Sequence, residues 1–204
     1  MFSDDFELVI MMNEFNEPNA HRESIKYVLG DLSSEGIETS DALAEIRGYG
    51  FGADALALFI GFGLGLFFAG KKIEENLDSW IRLGKRLSKA ISRLKKRQAN
   101  VMLSEPMAAA LSMSSVADIE ANYSHILPLS SVIYPIPNST LNRELINIFK
   151  ENPYRYYVFG WSINNEFIRI IYMTSYGEII LTHKLPLDYP EFHKIAFSDL
   201  PQKT

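Results

Sequence analysis

A chain of 204 residues with 47% hydrophobic and 22% charged side chains is long enough for one ordinary domain, or for a small domain joined to a membrane segment. It contains no cysteine, which excludes a disulfide framework, thiolate chemistry and a zinc–cysteine site. The net charge of −5 is unevenly spread: residues 1–47 hold eleven acids against three bases, a balance of −8, whereas residues 71–98 hold ten bases against three acids, a balance of +7.

In chain order, Phe6 to Met12 is short, apolar and rich in branched side chains, the pattern of a strand. Met1 to Phe15 opens with acids rather than with a basic region before an apolar run, so no cleavable signal peptide is expected. Pro18 stands near a first helical position, and Ile25, Val28, Leu29 and Leu32 fall on one face of an amphipathic helix that Gly36 is placed to stop. A brief extended piece at 37–39 precedes a short helix expected from Ser40 to Ile46.

Residues 48–71 separate the two oppositely charged regions. From Ala55 to Gly70 there is no charge and no hydrogen-bonding side chain, and Lys71 and Lys72 close the run. As a helix, 55–70 reaches about 24 Å, against about 30 Å of hydrocarbon; extension back to Tyr49 supplies the length but brings in Asp54. The apolar side chains contribute about −3 to −5 kcal/mol to insertion, opposed by up to about +3 for a deeply held Asp54. Gly61 and Gly65 form a G-x-x-x-G pair, the spacing by which helices in lipid approach closely, with Phe62, Leu66 and Phe68 beside it. This pattern predicts a transmembrane helix that also admits self-association, and the lysines on its C-terminal side place that side in the cytoplasm. The competing expectation is a buried helix in the core of a soluble protein.

Ile73, Leu77, Trp80, Gly84, Leu87, Ile91 and Leu94 step by four and three along a long helix toward Gln98. Lys85, Arg86, Lys89 and Arg93 occupy its other faces. Such a helix covers a core, lies on anionic headgroups with Lys71, Lys72 and Trp80 at the interface, or pairs with a copy of itself; Gly84 weakens the last. Nucleic acid is not favoured, because the whole chain is acidic and no recognition motif frames the basic stretch.

Residues 99–128 are polar and less patterned, with a linker expected at 99–112 and a break at Pro106. Ser131 to Ile136 reads as extended, and 138–150 as helical. The clearest β signal follows: Tyr156–Ile163, Phe167–Thr174 and Glu178–Lys184, joined by turns at Asn164-Asn165 and Tyr176-Gly177. The expected fold is therefore α+β: an N-terminal β-α unit (1–47), an apolar transmembrane helix (48–71), a basic amphipathic helix (72–98), a linker (99–112) and a C-terminal domain (113–204) on an antiparallel three-stranded β-meander.

No constellation of residues carries a recognisable reaction. Gly65 to Lys72 imitates a phosphate-binding loop but has Lys72 where Ser or Thr would ligate magnesium, and Phe67-Phe68 inside the loop. His21, His125, His183 and His193 lack metal-ligand spacing, and no serine sits in a nucleophile elbow. The aromatic cluster Tyr154, Tyr156, Tyr157, Phe159 and Trp161 suits a sheet core better than a partner face. No catalytic residue, metal or cofactor is expected. The expected function is a membrane-anchored, non-catalytic protein for anchoring, sensing or partner binding, single-pass in the cell membrane with its C-terminal domain in the cytoplasm. The alternative is a soluble acidic interaction module of inhibitor or immunity type, with residues 51–70 as a core helix.

Overall fold

A computed structural model of the chain describes residues 7–14, 18–37, 41–49, 53–61, 77–96, 100–135 and 155–188. In order these form β1 (Glu7–Glu14), α1 (Pro18–Ser34), β2 (Asp41–Tyr49), β3 (Ala53–Gly61), α2 (Leu77–Lys96), β4 (Asn100–Leu103), α3 (Glu105–Ile119), β5 (Ile126–Pro135), β6 (Arg155–Ile163), β7 (Phe167–Thr174) and β8 (Ile179–Pro186). The fold is mixed helix and sheet, with two four-stranded antiparallel sheets.

The first sheet has the order β2-β3-β1-β4. With α1 between β1 and β2, and α2 between β3 and β4, this is the β-α-β-β-α-β arrangement also called split β-α-β or ferredoxin-like. It corrects the reading of the apolar block. Ala53–Gly61 is a strand, not the first half of a helix, and it occupies an inner position, paired with β1 on one edge and β2 on the other. A short apolar run of this kind does not separate strand from helix by periodicity alone. Asp41–Tyr49 is likewise a strand, where a helix from Ser40 to Ile46 is expected from sequence. Among the described residues no helix is long and apolar enough to cross a membrane.

Helix α1 ends as its sequence suggests. Gly36 adopts φ +69°, its N–H bonds to the Ser33 carbonyl at 2.8 Å, and the Ile37 N–H bonds to the Leu32 carbonyl at 3.0 Å. This double closure is a Schellman cap, and its customary apolar contact is supplied by Leu32 and Ile37, both buried in the core.

The linker expected at 99–112 instead holds β4 and the first half of α3, and α3 is the central helix of the molecule. Pro106 sits in its first turn, where the missing N–H is harmless. Ala108, Ala109, Ala110, Ser112 and Met113 are fully buried. Helix α3 lies between α2 and the second sheet, which has the order β5-β6-β7-β8. That sheet contains the three expected strands and adds β5, with a bulge between Pro128 and Ser130. Asn164 and Asn165 both take positive φ, and the Glu166 N–H donates to the Ile163 carbonyl at 2.9 Å, a type I′ turn within the three-residue loop between β6 and β7.

Side chains on β6 tie this sheet to what precedes it. Tyr157, Phe159 and Trp161 form a buried stripe along the strand, with ring centroids 5.9 and 6.1 Å apart. The Trp161 Nε1–H donates to Ser112 Oγ on α3 at 2.8 Å, and the Tyr157 hydroxyl donates to the Leu103 carbonyl of β4 at 2.7 Å. The Leu103 N–H in turn donates to the Ser175 carbonyl, in the turn between β7 and β8. One continuous apolar cluster runs from Val28 of α1 through Leu87 of α2 and Met107 of α3 to Ile171 of β7.

Candidate anion-binding site

Helix α2 is strongly amphipathic, and its two faces have different work. The expected apolar stripe is the buried one: Trp80, Gly84, Leu87, Ile91 and Leu94 all face the core. Trp80 is only 4% exposed, so it belongs to the core and not to a membrane interface. Gly84 marks the contact with α3; a Cβ there would lie 2.1 Å from the Ala110 carbonyl oxygen and 2.6 Å from Ser114 Cβ. The backbones touch because Gly84 has no side chain, which accounts for a glycine on an otherwise heptad-like seam.

The basic face is divided between structural and open positions. Arg86 donates to the Gly36 carbonyl at 3.0 Å, while Arg93 pairs with Glu35 at 2.5 Å and donates to Ser34 Oγ at 2.6 Å. Both guanidiniums therefore sit at the C-terminal end of α1, where the partial negative charge of the helix favours cations and the last turn of α1 has no basic residue. They are helix clamps. Lys71, Lys72, Phe62, Gly65, Leu66 and Phe68 lie outside the described residues. Gly61 closes strand β3, paired with Glu7 and Asp41, so its described surroundings are a sheet and not a helix–helix contact.

Lys85 and Lys89 point elsewhere, into a cleft of about 510 Å³ between α2, α3 and the turn before β8. Its lining has three chemical layers. Ile91, Leu111 and Ile179 give it apolar walls; Ser88, Ser92, Ser114 and Ser115 add hydroxyls; Lys85, Lys89 and Lys95 bring ammonium groups, against the single carboxylate of Asp118. Gly177 forms part of the lining with φ +76°, and a Cβ there would press to 3.0 Å against Leu111 and 3.1 Å against Leu103. A glycine therefore serves both the turn and its close seat over the core.

The donors of the cleft are not equivalent. Ser114 Oγ donates to the Leu111 carbonyl and Ser92 Oγ to the Ser88 carbonyl, so those two protons are already in use. The hydroxyls of Ser88 and Ser115 donate to no group among the described residues. Lys85 Nζ lies 2.9 Å from Asp118 and Lys95 Nζ 3.0 Å from Glu178, in exposed pairs, whereas Lys89 faces no carboxylate among the described residues. The Asp118 carboxylate, hydrogen-bonded to Lys85 and attracting its charge, raises the lysine above its ordinary pKa of 10.5. Among the described residues, two free hydroxyls, one ammonium without a carboxylate partner and two in exposed pairs converge on one volume, and their common chemistry is to receive negatively charged oxygen.

Two other polar groupings are structural. Ser124 Oγ is 3.0 Å from His125 Nδ1, but it also donates to Asn164 Oδ1, which accepts the backbone N–H groups of Ser124 and His125 as well. The Asn164 side chain thus clamps a loop against the hairpin. Arg169 pairs with Glu120 at the end of α3, and Lys184 stacks 3.6 Å over the Phe167 ring beside them. No group of His, Asp and Glu among the described residues is arranged to hold a metal ion.

The lysine–serine grouping was only half visible in the sequence. Lys85 and Lys89 stand out by helical spacing, but Ser114, Ser115 and Gly177 join them only through the packing of α3, which carries no periodic signal. Compared with known protein families, curated proteins and solved structures, the chain matches none.

Proposed function

We propose that this protein is a non-catalytic binding module that takes an anionic ligand in the cleft between α2 and α3. The observation that carries this reading is the convergence of Lys85, Lys89 and Lys95 with the free hydroxyls of Ser88 and Ser115 in one cleft. Its volume is that of a small-ligand pocket. The surrounding helices and turn are fixed by buried contacts, so the backbone positions that carry the donors are set before a ligand arrives. Calorimetric titration of the full chain with pyrophosphate tests the reading. Saturable binding is expected, weakening as salt rises because the lysines are exposed and lost on replacing Lys85 and Lys89 together by glutamine. Absence of saturable binding, or unchanged binding by the double variant, would refute it.

A second reading, attachment to an anionic membrane face, draws on the uncharged run from Phe62 to Gly70 followed by Lys71 and Lys72. With Ala53–Gly61 committed to β3, nine apolar residues remain, about 14 Å if helical and too short for a helical span. Attachment by this run would be shallow, with the lysines at the headgroups of the cytoplasmic face. Fractionation separates the cases: release from membranes by high salt or carbonate agrees with shallow attachment. Retention after both washes would require a deeper insertion and contradict it.

A further inference from the structure

The cleft holds more information than the sign of its charge. We infer that its ligand is a phosphate monoester in its dianionic form, with an apolar or aromatic group on the ester oxygen. This rests on the anion-binding reading above and narrows it.

Charge count is the first reason. A carboxylate carries one negative charge, and Lys89 alone would match it. A second ammonium stands one helical turn away at Lys85, about 6 Å along α2, held by Asp118 in an exposed pair of the kind that exchanges at little cost. A dianion can recruit Lys85 from Asp118; a monoanion gains less by doing so. Shape is the second reason. Ser88 and Ser115 offer hydroxyl protons from the two facing helices, which suits a group with several acceptor oxygens over one with two in a plane. The apolar surface of Ile179, 37% exposed beside the buried Ile91 and Leu111, is the third, because inorganic phosphate would leave it wet while an ester group would cover it. Asp118 is in this account an internal competitor for Lys85.

Titration of the isotopically labelled full chain with phenyl phosphate, inorganic phosphate and benzoate, followed through backbone amide shifts, tests the inference. Phenyl phosphate should bind at least about tenfold more tightly than benzoate, the worth of one further charge-assisted contact, and more tightly than inorganic phosphate. Its affinity should rise between about pH 5 and 7 as the ester takes up its second charge near pH 6. Lys85→Gln should weaken phenyl phosphate while leaving benzoate unchanged, and Asp118→Asn should strengthen phenyl phosphate. Equal affinity for all three probes, or a weakening by Asp118→Asn, would overturn the phosphate-ester inference and leave anion binding standing. Failure of every probe to shift the cleft amides would overturn both. Two sources share this chemistry, and competition separates them. Displacement of phenyl phosphate by vesicles containing phosphatidic acid, and not by phosphatidylcholine alone, assigns the ester to a lipid headgroup. Binding without displacement assigns it to a soluble ester.

Discussion

Gly84 and Lys85 are neighbours with opposite duties, and each makes a sharp test. Gly84→Ala would ordinarily favour a helix by about 1 kcal/mol. Here the added carbon would meet the Ala110 carbonyl at 2.1 Å, so α2 and α3 must separate. A net loss of about 1–3 kcal/mol, the usual cost of overpacking, is expected in chemical denaturation; a stabilised variant would show that the helices do not touch there. Lys85 faces outward, and its raised pKa has a stated sign. A lysine that gains an anionic partner on folding contributes stability that is complete below its unfolded pKa of about 10.4 and is lost as pH rises through the higher folded value. Following the Lys85 side chain by NMR should therefore give a midpoint above the ordinary lysine value, returning to it in Asp118→Asn. An unchanged midpoint in that variant would remove Asp118 as the cause.

Helix α3 and strand β3 explain where sequence reading succeeded and where it did not. Helix α2 is half-buried, with one face on the core and the other toward water, so its period of 3.6 is written in the residues. Strands β6 and β7 are mostly buried on both faces and are legible instead from their length and their branched and aromatic side chains. Their turns are equally plain, because Asn164, Asn165 and Gly177 supply positive φ. Helix α3 is buried on nearly every side by α2 and the meander, so Pro106 to Ala117 carries small and apolar residues all round and no moment. It reads as a linker and is the opposite. Strand β3 fails the same test from the other direction, since apolarity without a polar face does not separate helix from strand. Two signals favoured the strand: the alternation of alanine and leucine over 55–58, and the glycines at 48, 50 and 52 that prepare a hairpin. The placement of α3 has its own test in Trp161→Phe, which leaves buried Ser112 without the donor it meets at 2.8 Å. A loss of about 1–3 kcal/mol is expected, with a smaller loss in Trp161→Phe when Ser112 is also replaced by alanine. Equal losses in both backgrounds would mean that the bond contributes nothing.

One core joins the split β-α-β unit to the meander, and the molecule should unfold accordingly. Trp80 lies on α2 and Trp161 on β6, and both belong to the same buried cluster. Single-tryptophan variants, made by replacing either one with phenylalanine, should each give one denaturation transition, with signal changes by fluorescence and by circular dichroism that coincide. Separate fluorescence and circular dichroism midpoints within one variant would divide the core into two. The same continuity positions the proposed site, because the cleft takes its ammonium groups from α2, the Ser115 hydroxyl from α3 and its rim from the β7–β8 turn. The most direct test of the account is to map where an anion settles, by titrating the labelled chain with inorganic phosphate. The account predicts saturable amide shifts grouped at Ser88, Lys89, Ser115 and Gly177, abolished in Lys89→Gln. Shifts centred on Arg86 and Arg93 at the end of α1, or spread evenly over the basic face, would contradict it.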